Sequence, residues 1–349
     1  MFRMSMRLGM VNTKIVAGIC VAFAAIIAVL AVVLLDTSGE SGSGLGRAYE
    51  YDVEELAWID PNLFLYEQAG QPIRTGFASA RAIAVDSKGV VYVAGDEAVK
   101  LFSASGALRG KIALSSSPRC LTVADDGKVY IGMKEHVEVY DVDGKRAASW
   151  ASLGADSVLT SIAVYKNNVF VADAGNRVVL RFGRDGELVK RIGERDRERN
   201  VPGFVVPSAY FDVAVGGDGL LRVVDPGRLR IEAYTFDGDL EFSWGGFSSG
   251  IEGFAGCCNP VNFAMLADGG FVTCEKGIVR VKVYDANGGF VGVVAGPEQL
   301  VRGGEAHICE VPAECQSGGF DVAVDSTGRV LVLDTIKNIV RVFVKMEAE

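Results

Sequence analysis

A six-fold internal repeat constrains the fold of this chain more than any other feature. In each copy, apolar and polar residues alternate with period 2, a turn containing Asp or Gly follows, and a second alternating stretch comes next. Such alternation predicts β-strands that bury one face. The six copies begin at Ile83, Leu121, Ile162, Asp212, Phe263 and Asp321.

Each copy continues into a third strand, and most copies continue into a fourth. Four-stranded meanders at this spacing are typical of propeller blades. We therefore expect an all-β domain, a six-bladed β-propeller, over residues 48–349. The sixth copy ends after its third strand, at 339–345, and we expect residues 63–67 (LFLYE) to supply the missing outer strand and close the ring.

Two motifs resemble the NHL-repeat family of propellers. Residues 171–179 (VADAGNRVV) are similar to the core motif of that family, and 203–207 (GFVVP) are similar to its lead-in. The resemblance covers about residues 76–345, although the second copy has Met133 where the motif has Asp. It implies a structural role for Asp173, Asn176 and Arg177. It also implies a binding or scaffolding protein, as in most family members, or an enzyme, as in a minority.

The N-terminal region predicts a membrane anchor. Residues 15–35 contain no charged side chain, and this uncharged run is long enough to span a bilayer. Arg3, Arg7 and Lys14 precede this run, so the positive-inside rule places residues 1–14 in the cytoplasm. A cleaved signal peptide is the alternative, but its apolar core is normally shorter and is followed by a small-residue cleavage site.

The expected protein therefore crosses the membrane once. Residues 36–47 form a flexible linker rich in Gly and Ser, and the propeller is periplasmic or extracellular. The formal net charge is −9 at pH 7 although the first 14 residues are basic. Because an acidic domain repels phosphate backbones, nucleic acid is excluded as the expected partner.

Cysteines cluster in the later copies. Cys20 lies in the apolar run, and Cys120 precedes the first strand of the second copy. Five others map to one end of the fifth and sixth copies: Cys257, Cys258, Cys274, Cys309 and Cys315. Disulfide bonds, free redox thiols, or a zinc or iron–sulfur site with His307 all remain open. No C-x-x-C spacing supports the metal, and the main expectation is that no cofactor is bound.

The connections between copies are long on one face of the propeller, called the top face here, and long loops on a rigid scaffold often carry function. The three longest are 194–211, 245–262 and 296–320. Arg81 and Arg119 each precede an innermost strand, where they could bind an anion or pair with local carboxylates.

Three functions follow from these features. The first is a binding or scaffold module for a protein or a small anionic ligand at the top face. The second is a redox or metal accessory protein that uses the cysteines. The third is a lactonase-like hydrolase with a channel cation, for which the sequence offers the acidic residues that end second strands: Asp96, Asp173, Asp225 and Asp334. In the NHL family such residues more often bond to backbone, and no catalytic motif is present.

Overall fold

The computed structural model describes residues 22–23, 57–248, 250–256, 258–301 and 319–347. The chain divides into two units, residues 1–52 and 53–349. Apart from Ala22 and Phe23, which are helical, the predicted anchor lies outside the described residues. Within the described ranges, no helix has the length and apolar character needed to span a bilayer. The membrane anchor is therefore not supported by the structure.

The described chain is a propeller of six antiparallel sheets, and the all-β six-bladed prediction is confirmed. Before the first blade come a 3-10 helix, Pro61–Leu63, and two short strands, β1 (Tyr66–Gln68) and β2 (Ile73–Arg74). Blade 1 contains β3 (Ala80–Val85), β4 (Val91–Gly95), β5 (Ala98–Phe102) and β6 (Leu108–Ala113). Blade 2 contains β7 (Cys120–Val123), β8 (Val129–Gly132), β9 (Val137–Tyr140) and β10 (Arg146–Ser149). Blade 3 contains β11 (Leu159–Tyr165), β12 (Asn168–Asp173), β13 (Val178–Gly183) and β14 (Leu188–Ile192).

The second half continues the same pattern. Blade 4 contains β15 (Val213–Val215), β16 (Leu221–Asp225), β17 (Arg230–Tyr234) and β18 (Leu240–Trp244). Blade 5 contains β19 (Asn262–Met265), β20 (Phe271–Cys274), β21 (Val281–Tyr284) and β22 (Phe290–Ala295), followed by a single helical turn, α1 (Pro297–Leu300). Blade 6 contains β23 (Asp321–Val324), β24 (Val330–Asp334) and β25 (Ile339–Lys345).

The N-terminal strands complete blade 6. Strand β1 pairs antiparallel with β25, with Tyr66 opposite Lys345, and β2 pairs further along the same strand. β1 overlaps the segment proposed from the sequence, 63–67, at its last two residues. Leu65, directly before β1, bonds to both blades: its N–H donates to the Val293 carbonyl of blade 5, and its carbonyl accepts the Met346 N–H after β25, both at 2.9 Å. The N-terminal segment thus joins blades 5 and 6 and covers the edge that β25 would otherwise expose.

Several hairpins lie on the bottom face, opposite the top face, and are stabilised by the same type of hydrogen-bonded turn. The carboxylate of Asp285 accepts the N–H groups of Asn287 and Gly289, both at 2.8 Å, and Gly288 has a φ of +83° that an L side chain rarely adopts. Corresponding aspartates bond in the same way at other hairpins: Asp86, Asp141 and Asp325. The repeated Asp and Gly positions of the sequence are therefore tight turns.

Adjacent blades pack through aromatic side chains outside the innermost strands. Trp244 of blade 4 lies 4.8 Å from the rings of both Phe271 and Tyr284 of blade 5, measured between centroids. Trp150 of blade 2 packs on Phe182 of blade 3 at 5.0 Å. These contacts bury apolar area between blades, and the six innermost strands are left to surround a central channel.

Candidate functional site

A cavity of about 260 Å³ occupies the channel. Its wall is formed by the innermost strand of every blade, β3, β7, β11, β15, β19 and β23. These strands begin at the top face, because each follows the long connection from the preceding blade. The first residues of the innermost strands therefore set the chemistry of the channel mouth.

One ring of residues lies at the same height around this mouth. Each member directly precedes a corresponding apolar residue of an innermost strand, and these residues are Ile83, Leu121, Ile162, Val213, Phe263 and Val322. The ring consists of Ala82, Cys120, Ser161, Asp212, Asn262 and Asp321. Four of the six side chains are polar groups with hydrogen-bonding oxygen atoms, and two of those are carboxylates.

The polar side chains of this ring bind adjacent blades together. A carboxylate oxygen of Asp212 accepts the Phe263 N–H of blade 5 at 2.8 Å, and one of Asp321 accepts the Ile83 N–H of blade 1 at 2.9 Å. The Ser161 hydroxyl accepts the Val213 N–H of the next blade at 3.3 Å, and the Asn262 side-chain amide donates to the Phe320 carbonyl at 2.8 Å. The ring is thus part of the structure that holds the propeller closed.

The two carboxylates of the ring have unusual acidity. Burial raises the pKa of Asp212 to about 6. Burial, and then repulsion from Asp212, raise the pKa of Asp321 to about 7. No ion pair with a basic residue reaches either carboxylate among the described residues, so backbone and hydroxyl donors alone stabilise their charge. Both groups consequently titrate near neutral pH.

Two arginines line the same cavity. Arg81 and Arg119 each lie one residue before the ring, on the adjacent blades 1 and 2. Within the described part of the chain, neither guanidinium group makes an ion pair or a hydrogen bond. Burial and the nearby charge of Arg81 lower the pKa of Arg119 below its ordinary value. The described residues therefore show no pairing of these arginines with local carboxylates, which was the alternative prediction.

The aspartates that end second strands have a structural role. Asp96 accepts the N–H groups of Ala78 and Ser79, at 3.0 and 2.9 Å, in the segment leading into its own blade. Asp225 and Asp334 likewise accept N–H groups of top-face loops. The observed role of these carboxylates is therefore to accept hydrogen bonds from the backbone of nearby loops.

The motif of blade 3 follows the same rule. Asp173 accepts the Val158 N–H at 3.0 Å and the Asn176 side-chain amide at 2.7 Å. Asn176 also donates to the Ser157 hydroxyl at 3.1 Å, and Arg177 has a φ of +54°. The three residues therefore form a turn that joins the loop before β11 to the hairpin between β12 and β13.

The lactonase hypothesis requires side chains in the channel that could hold a cation. Asp212 and Asp321 are the channel carboxylates, and nowhere in the described ranges do three His, Cys, Asp or Glu side chains come close enough to hold a metal ion. We derive no step through a cation.

The described cysteines are buried thiols in or near the channel wall. Cys120 lines the cavity, and Cys274 lies behind Asn262, its partner in the β19–β20 ladder. Both are free, and burial raises the pKa of each thiol. The structure shows no disulfide bond between described residues, so the disulfide prediction is not supported at these two positions. Cys258 is buried, whereas Cys257, Cys309, Cys315 and His307 lie outside the described residues.

A buried ionic cluster in blade 5 has no counterpart in the sequence prediction. Arg280 donates to Glu275 at 2.6 Å, and the Lys282 ammonium lies 3.1 Å from the same carboxylate. Lys282 also donates to the Ile251 carbonyl at 3.0 Å, and burial lowers its pKa to about 8. The cluster fastens the insertion before blade 5 to the blade itself.

Sequence reasoning found Arg81 and Arg119 but missed the ring residues Asp212, Asn262 and Asp321. A signal was present, because each of the three interrupts an apolar pair at the beginning of an innermost strand: Phe211 and Val213, Val261 and Phe263, Phe320 and Val322. A polar residue at that place faces either the channel or the next blade. The structure shows that these side chains do both.

Comparison with known proteins supports the fold. No family model and no curated protein sequence matches the chain, so the NHL resemblance is not confirmed. Solved structures do match. A protein of unknown function from Bacteroides thetaiotaomicron VPI-5482 is 16% identical, with 79% of this chain and 72% of that chain covered and a TM-score of 0.57.

Two similar structures are enzymes. A gluconolactonase from Xanthomonas campestris is 14% identical, with 82% of this chain and 94% of that chain covered and a TM-score of 0.57. A catalytically inactive virginiamycin B lyase from Staphylococcus aureus, with quinupristin, is 13% identical, with 80% and 100% covered and a TM-score of 0.54. At these identities the likeness establishes a shared six-bladed fold, which hosts both binding and catalysis.

Proposed function

We propose that this protein is a binding propeller that takes a small oxyanion at the top mouth of its channel. The main support for this proposal is the pair Arg81 and Arg119. Their two guanidinium groups belong to one cavity wall and have no anionic partner in the described ranges. Guanidinium groups recognise carboxylate, sulfate and phosphate oxygens through paired N–H donors. A bound oxyanion would supply the counter-charge that this part of the protein lacks.

The size of the cavity limits the ligand. Pockets for drug-sized ligands are about 300–1,000 Å³, and the channel, at about 260 Å³, is slightly smaller than this range. The polar residues Thr160 and Asn262 also line the wall. A compact oxyanion with further polar groups therefore fits better than a peptide or a polymer.

Binding measurements with single arginine variants test the proposal. Sulfate, phosphate, citrate and gluconate are titrated into the full-length protein and into Arg81→Gln and Arg119→Gln. Each substitution should weaken the tightest of these anions by about tenfold or more, since a charge-assisted hydrogen bond contributes about 1.5–3 kcal/mol.

Arg109→Gln is the matched control. Arg109 is exposed on the outer strand β6 of the same blade as Arg81, so this variant removes the same charge outside the channel. It should bind like the unmodified protein. Equal weakening in all three variants, or no binding of any of the four anions, would contradict the proposal.

A lactonase-like hydrolase is the second candidate. It is favoured by the two channel carboxylates, whose pKa values near neutrality suit a general base, and it agrees with the fold shared with a gluconolactonase. In this mechanism Asp212 or Asp321 would take a proton from the water that attacks the lactone carbonyl, while the arginines hold the oxygens of the substrate.

Hydrolysis of glucono-δ-lactone above the spontaneous rate, followed by acid release, tests this candidate. The rate should fall about a hundredfold or more in Asp321→Asn or Asp212→Asn and remain in Asp325→Asn, since general base catalysis contributes about 10²–10⁴-fold. A rate equal to the spontaneous one in the unmodified protein would exclude this activity for that lactone.

A further inference from the structure

The channel contains four charged groups that are not paired with one another. Arg81 and Arg119 lie on blades 1 and 2, and Asp212 and Asp321 lie on blades 4 and 6. All four residues line one cavity of only about 260 Å³. Asp212, Asp321 and Arg119 all act on the Cys120 thiol, because the two carboxylates raise its pKa and Arg119 lowers it. An anion held by the arginines in so small a cavity therefore brings its negative charge close to the carboxylates.

An anion at the arginines adds negative charge to a site that already holds two carboxylates. Repulsion between like charges favours the neutral form of a carboxyl group. The carboxylates are close to that form before any ligand arrives, because the pKa values of Asp212 and Asp321 are about 6 and about 7. A carboxyl group that gains a proton also becomes a donor and can hydrogen-bond an oxygen of the anion.

No other described group facing these carboxylates changes charge between pH 6 and 8. Ser161 and Asn262 are neutral, and Arg81 and Arg119 stay charged. Burial raises the pKa of the two neighbouring thiols, Cys120 and Cys274, so that both remain protonated. Any proton taken up on binding would consequently reside on Asp212 or Asp321.

We propose that the channel binds its oxyanion together with a proton from solvent, which is held by Asp321 with Asp212 as the second acceptor. This rests on the oxyanion site proposed above and specifies how that site is regulated. The proton moves from solvent to a carboxylate oxygen when the anion enters and returns to solvent when it leaves, and no bond of the ligand changes. The site thereby captures anions at mildly acidic pH and releases them at alkaline pH.

The expected pH dependence has a defined sign and size. Uptake of one proton raises the association constant by up to tenfold for each unit that the pH falls, between the pKa values of the free and bound states. Sulfate is the probe because it does not titrate in this range. Between pH 7.5 and 6.5 its association constant should rise by about three- to tenfold.

Calorimetric titration of sulfate into the full-length protein, with EDTA present, tests this coupling. Comparing two buffers of different ionisation enthalpy at each pH counts the protons bound. We expect about one proton at pH 7.5, and a clearly smaller number together with a flatter pH dependence in Asp321→Asn. Arg81→Gln should lose affinity for sulfate.

Two further results separate this proposal from the oxyanion site itself. Sulfate binding that requires Arg81 and Arg119 but takes up no proton would overturn the coupling and leave the site intact. Absence of arginine-dependent sulfate binding would overturn both. Calcium binding that is lost in Asp321→Asn would also overturn the coupling, because the carboxylates would then be cation ligands.

A measurement on the unmodified protein avoids reliance on variants, since Asp321 also bonds to Ile83 and its replacement could impair folding. Carbon-13 NMR titration of side-chain carboxyl groups, with and without saturating sulfate, should show the pKa of Asp321 rising when sulfate is bound. An unchanged or lowered pKa would refute the proposal.

Discussion

At the level of single residues, the buried acids of this propeller differ in what stabilises their charge. Glu275 has Arg280 at 2.6 Å and Lys282 at 3.1 Å, so its charge is matched by two cations. Asp212 and Asp321 accept backbone N–H groups, and no described cation pairs with them. Because a buried charge without a counter-charge is costly, the pKa values of Asp212 and Asp321 are raised to about 6 and about 7. That difference leads to the first prediction.

Asp321 and Asp325, four residues apart, should influence stability in opposite directions with pH. The pKa of Asp321 is about 7 in the folded protein and about 4 in an unfolded chain, so the folded state binds more protons between these values. Its contribution to the free energy of unfolding therefore falls as pH rises from about 4 to 7. Burial raises the pKa of Asp325, but hydrogen bonds from Thr327 and Arg329 outweigh burial and leave it below the ordinary value.

Urea unfolding at several pH values, with EDTA present, measures both effects. Asp321→Asn should become more stable relative to the unmodified protein as the pH is raised from 5 to 8. Asp325→Asn should become less stable relative to it as the pH is raised from 3 to 6, because the stabilising form of Asp325 is the charged one. A pH-independent difference for Asp321→Asn would show that its carboxylate is not destabilised in the fold.

The buried thiols of Cys120 and Cys274 should resist alkylation. The thiolate is the reactive form, and burial both excludes reagent and raises the pKa of each thiol. Iodoacetamide at pH 8 should leave these two cysteines unmodified in the native protein and modify both after unfolding in guanidinium, as peptide mass mapping would show. Rapid modification of Cys120 in the native protein would mean that its side chain is open to the channel.

At the level of elements, closure of the ring depends on the three residues of β1. Tyr66 is 6% exposed and packs in the core between blades 5 and 6. Replacing a buried aromatic side chain with alanine costs about 3 kcal/mol or more, so Tyr66→Ala should reduce the free energy of unfolding by that amount. Tyr66→Phe is the control, because the Tyr66 hydroxyl makes no hydrogen bond with a described residue, and it should cost less than about 1 kcal/mol. Equal unfolding midpoints for the two variants would show that β1 does not secure the ring.

The sequence predicts elements better than it predicts the site, and the reason is physical. Strands such as β12 and β24 are buried along almost their whole length, so they are visible in the chain as short apolar runs bounded by turn residues. The start of β1 was less predictable, since the Leu65 N–H bonds to blade 5 while its carbonyl accepts the Met346 N–H at the end of blade 6. Arg81 could be located from its place shortly before the repeat copy at Ile83, although β3 begins already at Ala80, but its lack of a partner among the described residues depends on distant parts of the chain.

The ring residues show the limit most clearly. Asp212 and Asp321 are visible as the first letters of two repeat copies, where they suggest only the beginning of a strand. Burial in a channel formed by six separate segments raises the pKa of both, and repulsion from Asp212, on a blade that is not adjacent, further raises the pKa of Asp321. Local patterns do not contain that information. The candidate site exists only in the folded ring, which brings these six segments together.

At the level of the whole molecule, several contacts hold the ring closed, and two of them act at different radii. The main-chain ladder between β1 and β25 joins the N-terminal segment to the last blade. The bond from the Ile83 N–H to Asp321 joins the same blade to blade 1 at the channel. The second bond uses a residue of the proposed ligand site, so ligand binding and ring closure share a side chain.

The orientation of the protein in the cell is a whole-molecule prediction that depends on its N-terminal region. We expect residues 15–35 to remain as a membrane anchor and the propeller to lie outside the cytoplasm, because Arg3, Arg7 and Lys14 flank an uncharged run. Protease added to cells whose outer barrier is open, but whose inner membrane is intact, should digest the propeller and spare a cytoplasmic marker. Replacing Arg3, Arg7 and Lys14 with Glu removes the charge bias and should protect a fraction of the propeller from digestion. Full protection of the unmodified protein would contradict this orientation, and recovery of the propeller in the soluble fraction without residues 15–35 would indicate a cleaved signal peptide instead.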